Sequence, residues 1–433
     1  MIAQIIFIAI TGICFFLFIR KLSEITANIK LGRSVAINNP NGVKNMLLLA
    51  LGQKKMFQNF IPAILHGFIY VAFIITQVEL LEIFADGFLG KHRLFLNTFG
   101  DGFKGLYTFI ISFIEILSVF ALIATFIFLA RRNLLKLPRF IMPEMKGWPK
   151  LDANLILLWE IWLVAHIFLM NGADSALYAD KYNFAISSNF VAPLLSGLST
   201  GTLHFLERWG WWGHLIGVLA FLVYIPYSKH LHIFFAFPNT YFLDEKPAGQ
   251  IENMPAITNE VKAMFDPSFT PPAPENDAAP QKFGAKDVTD LTWKNLLDAY
   301  TCTECGRCSA ACPASQTGKL LSPRKIMMDT RDRLEEVAKG KKANEVFDDG
   351  KSLLIDYITN EEIMACTSCN ACVQECPVSI NPLDIILQLR RYQILEASKS
   401  PEEWNVMFNN IENNQAPWQF PPSDRDNWTK ELV

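Results

Sequence analysis

Cysteine is nearly absent from most of this sequence. Nine cysteines occur in 433 residues, and only Cys14 lies outside two short clusters. This distribution excludes a disulfide framework and indicates thiolates that are kept in a reducing compartment. Cys14 lies inside an apolar run, where a small buried residue is the expected role. The sequence also lacks a Gly-rich dinucleotide fingerprint.

Charge is distributed unevenly along the chain. Residues 1–242 contain 19 Lys and Arg against 12 Asp and Glu, a net charge of +7. Residues 243–433 contain 20 Lys and Arg against 30 Asp and Glu, a net charge of −10. This division predicts a basic membrane half and an acidic peripheral half. The acidic half argues against nucleic acid as a partner.

Five apolar runs are long enough to cross a lipid bilayer, which needs roughly 20 mostly apolar residues. They cover residues 2–19, 60–84, 105–130, 151–170 and 209–228. The first run has no basic leader and no small-residue cleavage site, so we expect a span and not a signal peptide. Lys and Arg concentrate in the loops after the first and third runs. This bias predicts an outside N-terminus and a cytoplasmic C-terminal domain on the bacterial inner membrane.

Histidines inside membrane spans are costly unless they are paired or act as ligands. His66 and His232 lie at matching depth near the cytoplasmic face, where they could hold one b-type haem. His166 and His214 match in depth on the outer side and could hold a second haem. His214 and His232 are 18 residues apart, which is five helical turns, so one continuous helix would place both on one face and His230 elsewhere. Interfacial or hydrogen-bonded core histidines are the alternative.

Four carboxylates also lie within or near the ends of the apolar runs: Glu79, Glu82, Glu115 and Glu160. An ionisable residue inside a membrane is a functional candidate, here for passing protons to or from a quinone. Hydrogen bonding between helices accounts for them equally well.

The strongest signal in the sequence is a repeated cysteine motif followed by proline. The spacing Cys-x-x-Cys-x-x-Cys-x-x-x-Cys-Pro occurs at residues 302–313 and again at 366–377. In this motif three thiolates bind one 4Fe–4S cluster and the fourth binds the other cluster. The predicted ligand sets are Cys302, Cys305, Cys308 and Cys376 for one cluster, and Cys366, Cys369, Cys372 and Cys312 for the other. A zinc site would use cysteine pairs without the third and fourth members.

About 50 residues separate the two motifs, and the pattern of these residues predicts helices. Ser322 and Pro323 provide a helix N-cap and a first-turn proline, and Arg331 to Lys339 continues the pattern. The expected fold is mainly α, with a five-span transmembrane helical bundle followed by a cytoplasmic helical dicluster ferredoxin-like domain. The expected regions are a haem b and quinone domain at 1–242, a Pro-rich linker at 243–285, the dicluster domain at 286–400 and a C-terminal tail at 401–433.

The cysteine motifs with the intervening Ser-Pro-Arg-Lys helix resemble the dicluster domain of heterodisulfide reductases and of anaerobic glycerol-3-phosphate dehydrogenase iron–sulfur subunits. The run from His214 to Phe234 looks like the haem-binding membrane subunit of respiratory nitrate reductase. That family usually supplies two histidines on its second span, whereas this chain has His66 and then Thr76. The segment Leu51-Gly52-Gln53-Lys54-Lys55 looks like membrane proteins proposed to oxidise electron-transfer flavoprotein and reduce menaquinone.

These resemblances imply an electron relay that connects a cytoplasmic donor, two 4Fe–4S clusters, one or two b-type haems and the quinone pool. Larger family members continue into a domain with paired-cysteine CCG motifs, which this sequence lacks. The resemblance therefore implies a cytoplasmic partner subunit with CCG motifs or a flavin, and the aromatic tail is a candidate contact for it. Packing of the tail onto the chain's own cluster domain is equally consistent.

Two other functions use the same parts. In the first, the chain is the membrane subunit of a heterodisulfide or sulfur-compound reductase and takes electrons from quinol. In the second, the chain translocates ions and the clusters only sense or regulate. The scarcity of Lys, Arg and Asp inside the apolar runs counts against the second.

Overall fold

The computed structural model describes residues 1–99, 101–247, 249–272, 282–344 and 347–432. Within these ranges the chain is helical, and the only β-type pairing consists of two isolated bridges. The mainly helical fold class predicted from the sequence is confirmed.

Nine α-helices lie in the described residues up to position 224. Their bounds are α1 (Ile2–Ile29), α2 (Gly42–Asn45), α3 (Phe60–Leu89), α4 (Leu94–Phe99), α5 (Asp101–Asn133), α6 (Pro138–Ile141), α7 (Trp148–Leu177), α8 (Ala192–Leu195) and α9 (Thr200–Tyr224). Helices α1, α3, α5, α7 and α9 are long and apolar enough to span a membrane. The five predicted spans are therefore confirmed, although the helices are longer than the apolar runs.

Glycines let the backbones of α7 and α9 approach each other closely. A Cβ atom added at Gly210 would lie 2.7 Å from the Met170 nitrogen and 2.9 Å from the His166 oxygen. At Gly213 it would overlap the His166 ring. Small residues serve this purpose at helix contacts within membranes, where lipid gives no hydrophobic drive for association.

The fifth membrane helix does not continue to His232. It ends at Tyr224 and is followed by two 3-10 turns, Ile225–Tyr227 and Lys229–Leu231, with Ser228 extended between them. A new helix, α10 (His232–Tyr241), begins at His232 itself. Pro226 has no N–H to extend the helical ladder, and the Ser228 hydroxyl accepts a hydrogen bond from the His230 N–H. The predicted shared helical face of His214 and His232 is therefore wrong.

Nine further α-helices follow α10 among the residues that the structure describes. Their bounds are α11 (Pro255–Phe265), α12 (Trp293–Thr301), α13 (Arg307–Ala311), α14 (Pro313–Gln316), α15 (Pro323–Ala343), α16 (Asn360–Met364), α17 (Ala371–Glu375), α18 (Pro382–Arg391) and α19 (Glu402–Asn414). The Ser322 side chain caps α15 by accepting a hydrogen bond from the Lys325 N–H, with Pro323 in the first turn, as the sequence predicts.

The C-terminal helical domain shares its hydrophobic core with the membrane bundle. Ile25 and Ile29 of α1 belong to the same buried cluster as Leu296 and Ile385 of the C-terminal domain. Leu231 and Phe235, from the segment that follows α9, belong to it as well. The domain is therefore packed on the ends of the membrane helices and is not held by the linker alone.

Buried polar contacts reinforce this packing. The Asn28 amide donates to the Tyr300 hydroxyl at 3.0 Å, and Arg324 Nη2 lies 2.8 Å from Glu144 Oε1. Lys294 Nζ donates to Asn239 Oδ1 at 3.0 Å. Each contact joins the C-terminal domain to a different part of the membrane half.

The predicted linker contains one helix, α11, while its other described residues have no regular structure. In the tail, helix α19 leaves several large apolar side chains exposed, namely Trp404, Val406, Phe408 and Ile411. These side chains are 43–54% exposed.

The contact between Asn28 and Tyr300 gives a testable prediction for the shared core. We expect Tyr300→Phe to leave the buried Asn28 amide without its acceptor and to lower the free energy of unfolding by about 1–2 kcal/mol. Thermal unfolding of the detergent-solubilised protein measures the change. Tyr227→Phe is the matched control, since that ring is 56% exposed. Equal thermal unfolding midpoints for the two variants would contradict a hydrophobic core that is shared by the membrane bundle and the C-terminal domain.

Candidate functional site

The two cysteine loops repeat the same backbone geometry. In the first loop Glu304 and Gly306 have positive φ angles, +55° and +73°. In the second loop Ser368 and Asn370, at the equivalent positions, have φ angles of +54° and +66°. In each loop two left-handed residues turn the backbone, and a short helix, α13 or α17, follows. The two helices pack against each other.

The close approach of the Arg324 side chain leaves no room for a side chain at position 306. A Cβ atom at this position would collide with Nη1 of Arg324, whose side chain is fully buried. The first loop therefore lies directly against a guanidinium group, and a larger side chain at this position would force the two apart.

The cysteines lie in two neighbouring groups, which touch each other through an interaction between Cys308 and Cys372. The Cys302 thiol interacts electrostatically with those of Cys305 and Cys376, and Cys308 interacts with all three. The second group is held together by similar interactions and consists of Cys312, Cys366, Cys369 and Cys372.

Thiolates in these groups need a compensating positive charge. Burial, followed by the charges of Glu304 and of neighbouring thiols, raises the pKa of Cys302 to about 12. Burial, followed by the charges of the Cys366 and Cys312 thiols, raises the pKa of Cys372 to about 12. Because cluster ligands must be deprotonated, bound iron supplies the charge that this environment requires. Both cysteine groups fit a 4Fe–4S cluster in their donor chemistry and in their grouping.

The two groups differ in their access to solvent. Cys369 is exposed, while Cys302 is buried at the end of α12 beside the membrane half. Cys302, Cys305 and Cys308 line a cavity that extends into the membrane bundle. Cys372 of the second group lines the cavity as well, so the exposed member of the second group is Cys369.

The cavity has a volume of about 1520 Å³, which is more than the roughly 300–1,000 Å³ of a pocket for one small ligand. Four histidines line it: His66, His214, His230 and His232. His66 and His232 interact electrostatically across it, so the structure brings this predicted pair together.

Hydrogen bonds orient the imidazole rings of this pair. Nδ1 of His66 bonds the side-chain oxygen of Gln53 at 3.1 Å, and Nδ1 of His232 bonds the Lys229 carbonyl at 2.9 Å. An oxygen acceptor requires the proton on Nδ1, which leaves Nε2 with a free lone pair for a metal. Both histidines therefore fit the axial ligands of a haem iron.

His230 was not predicted to face the same region as His232. It lines the cavity, and its ring centroid lies 5.5 Å from that of His232. The 3-10 turn Lys229–Leu231 explains the difference, because it places the two histidines in a geometry that a continuous helix does not have. No hydrogen bond fixes the His230 ring among the residues that the structure describes.

His166 and His214 lie next to each other on α7 and α9 and interact electrostatically. Nδ1 of each bonds a carbonyl of α7: His166 that of Trp162 at 2.9 Å and His214 that of Leu163 at 3.0 Å. Whereas His214 lines the cavity, the His166 ring is tilted by 33° against the Trp162 ring, with 4.1 Å between the ring centroids. A haem between these two histidines stays a prediction.

Arginines surround the end of the cavity near the first cysteine loop. They are Arg131, Arg132, Arg139, Arg307 and Arg324. Nη1 of Arg132 and Nε of Arg324 are buried without a hydrogen-bond partner. Buried polar atoms without a partner indicate a ligand or water that is part of the structure. The carboxylate groups of a haem fit these cationic donors in charge.

Comparisons with known proteins identify the general class. Residues 298–380 match the family model described as a 4Fe-4S dicluster domain. The chain therefore contains a 4Fe-4S dicluster domain and is similar to proteins named as iron–sulfur oxidoreductases. The chain is 28% identical to the "Probable iron-sulfur-binding oxidoreductase FadF" of Bacillus subtilis, over 99% of this chain and 61% of that protein.

Two further relatives match shorter parts of this chain. The "EtfAB:quinone oxidoreductase" of Syntrophomonas wolfei is 29% identical over 55% of this chain and 34% of that protein. The "Probable membrane-anchored ferredoxin" of Chromohalobacter salexigens is 31% identical over 36% of this chain and 25% of that protein. The chain thus spans less than two thirds of the length of these relatives. No solved structure matches it significantly.

The grouping of the thiols predicts cross-ligation between the two motifs. The purified protein is expected to contain about eight iron and eight acid-labile sulfide atoms in clusters. We expect Cys312→Ser to damage the cluster held mainly by the second motif, because Cys312 lies with Cys366 and Cys372. Electron paramagnetic resonance of the reduced protein separates the two signals. Cys14→Ser is the control, and loss of the first-motif cluster alone in Cys312→Ser would overturn the assignment.

Proposed function

We propose that this chain is a membrane subunit that relays electrons between a cytoplasmic donor, such as electron-transfer flavoprotein or a catalytic subunit, and the quinone pool. In this proposal the two cysteine groups hold two 4Fe–4S clusters, and His66 and His232 hold a b-type haem that accepts or donates one electron at a time. Menaquinone is the proposed membrane substrate.

The observation that carries the proposal is the continuity of the cavity. The same cavity is lined by three cysteines of the first loop and by His66 and His232. Cofactors bound at these residues would occupy neighbouring parts of one enclosed space without protein layers between them. That arrangement suits electron transfer and is not needed by clusters with a purely structural role.

A buried ion pair connects the first cysteine loop with the histidine segment. Glu304, between Cys302 and Cys305, accepts a hydrogen bond from Lys229 Nζ at 2.7 Å and another from Arg331 Nη1 at 2.9 Å. The carbonyl of the same Lys229 accepts the hydrogen bond that orients His232. This pair therefore fixes the loop relative to the proposed haem ligand.

Solvent exposure of Cys369 supports the second cluster as the point where the soluble donor docks. The opposite charges of the two halves and the Lys- and Arg-rich loops support an iron–sulfur domain in the bacterial cytoplasm and an N-terminus outside the inner membrane. The proposal divides the chain into four functional regions. They are a haem b and quinone domain at 1–242, a Pro-rich linker at 243–285, a dicluster domain at 286–400 and a C-terminal tail at 401–433.

The haem proposal is tested with histidine variants. We expect His66→Ala and His232→Ala each to abolish one b-type signal, because a bis-histidine iron loses a strong axial ligand. His230→Ala is the matched control in the same cavity, and we expect it to retain the signal because no hydrogen bond orients its ring. Reduced-minus-oxidised optical spectra with haem extraction give the result. Loss of haem in His230→Ala with retention in His232→Ala would reverse the assignment.

The same spectra test the second haem. His166→Ala and His214→Ala are expected to remove an outer haem and leave the inner one. A single haem per chain in the wild-type protein would refute the outer pair.

The partner is proposed to be a cytoplasmic subunit with CCG motifs or a flavin, and helix α19 is proposed as part of its contact. Trp404, Phe408 and Ile411 follow each other at helical spacing and are 43%, 54% and 45% exposed. An apolar face of this size is unfavourable in water unless a partner covers it.

Gentle purification followed by mass spectrometry tests this contact. Trp404→Ala combined with Phe408→Ala is expected to lose the partner while the cluster spectrum is unchanged. Asn405→Ala combined with Asn409→Ala changes the polar face of the same helix and serves as the control. If the isolated chain alone oxidises a soluble donor at full rate and reduces quinone, the proposal of a partner subunit is contradicted. Identification of a sulfur-compound reductase subunit would instead favour the reductase function.

A further inference from the structure

A network of buried charged side chains lies at the end of the cavity farthest from the cysteines. Glu79 lines the cavity and is 2% exposed. It lies 13 residues along α3 from His66, which is about 20 Å at the helical rise of 1.5 Å per residue. Its carboxylate accepts a hydrogen bond from Arg93 Nη1 at 3.3 Å. The network begins at this contact.

Arg93 joins side chains from three membrane helices. Besides Glu79 of α3, its guanidinium bonds the Tyr107 hydroxyl of α5 at 3.2 Å and Asp174 of α7 at 3.0 Å. It also bonds Asn171, whose amide reaches Glu115 at 3.4 Å. All of these groups are buried.

The network reaches the surface at His92. Nε2 of His92 lies 2.9 Å from Asp174 Oδ1, and the His92 side chain is 31% exposed. On its other side Nδ1 lies 3.0 Å from Arg208 Nη2 and 3.7 Å from Glu207. His92 belongs to the loop between α3 and α4, at the end of the bundle opposite the iron–sulfur domain.

The balance of charge indicates that the network stores protons. Six carboxylates that belong to it or face it are each no more than 5% exposed, namely Glu79, Glu82, Asp86, Glu115, Asp174 and Glu207. The permanent cations beside them are Arg93 and Arg208, and the remaining titratable groups are His92, Tyr107 and Tyr182. Six ionised carboxylates beside two guanidinium groups would leave a net negative charge in a buried site, and such a charge attracts protons.

We propose that this network carries protons between a quinone in the cavity and the outer surface, with Glu79 at the cavity and His92 at the surface. The inference rests on the proposed quinone chemistry. Reduction of one quinone consumes two electrons, which arrive from the iron–sulfur domain, and two protons, which arrive through the network. Oxidation of quinol returns two protons along the same route.

Arg93 keeps its charge and does not relay protons, since a guanidinium is not deprotonated in proteins. It holds the carboxylates close enough for exchange through water. The Ser187 hydroxyl, buried without a partner, marks a place for such a water, because the Ser187 N–H donates to Glu115 at 3.1 Å.

A metal ion is a weaker explanation of the same residues. Ligand atoms of His92, Asp174 and Glu207 lie within 4.8 Å of one another. However, Arg93 already binds Asp174 and Arg208 already binds Glu207. A cation would have to displace or approach both guanidinium groups, which is electrostatically unfavourable.

The test uses the full-length protein in liposomes with the iron–sulfur domain facing outward and a pH-sensitive dye enclosed in the lumen. Menadiol is the electron donor and external ferricyanide is the acceptor. We expect the lumen to gain about two protons for each menadiol oxidised, and Glu79→Gln to slow this acidification at least tenfold. A protonophore must abolish the signal.

Asp180→Asn is the control, because Asp180 is an exposed carboxylate after α7 whose side chain has no contact with Arg93 in the described part of the chain. Its ratio of luminal protons to electrons is expected to equal that of the wild type. His92→Gln is a second variant, and imidazole enclosed in the lumen is expected to restore its rate, which a purely structural defect would not allow.

Three outcomes would overturn the inference. Menadiol oxidation without luminal acidification would refute the proton route and leave the proposed electron relay intact. Unchanged acidification in both Glu79→Gln and His92→Gln would refute these residues as the route. Absence of menadiol oxidation in the wild type would refute the proposed quinone function and with it this inference.

Discussion

The packing of the iron–sulfur domain onto one end of the bundle of membrane helices is the constraint on which the rest of the structure depends. Two buried ion pairs, Arg324 with Glu144 and Lys229 with Glu304, cross this contact. Buried ion pairs contribute little net stability but are strongly unfavourable when one partner is missing. They therefore select one orientation of the domain, and this orientation places the first cysteine loop on the cavity.

The cavity itself is electrostatically polarised. Its end near the cysteines is lined by arginines, among them Arg132 and Arg139, while its other end is lined by Glu79. Cationic groups stabilise the negative charge of a reduced centre, and buried carboxylates can hold protons. The two ends are thus suited to the two kinds of particle that a quinone exchanges, electrons and protons.

Features with a local signature could be predicted from the sequence. The five spans follow from apolar length, the cysteine groups from their spacing, and the start of α15 from Ser322 and Pro323. The end of α9 at Tyr224 was missed because the helical period was extended through Pro226, although a proline is a local signal against a continuous helix.

The Arg93 network and the shared core could not be predicted in this way. Arg93 lies in a short loop, and two of its partners, Glu79 and Asp174, are 14 and 81 residues away. Ile25 and Leu296 appear in the sequence as ordinary apolar residues of separate regions. Periodicity reports which face of an element is apolar, but it does not report which distant element covers that face.

The contact between Asn28 and Tyr300 has a consequence for biosynthesis. The two residues are 272 positions apart in the chain. At roughly 5–20 residues per second, a ribosome needs roughly 15–50 seconds to make Tyr300 after Asn28. During this interval the C-terminal end of α1 has been synthesised, and its buried apolar side chains, Ile25 and Ile29, have no cover from the domain that later packs on them. The cell must therefore protect this end of the helix, by lipid or by a chaperone, until the last third of the protein has been synthesised.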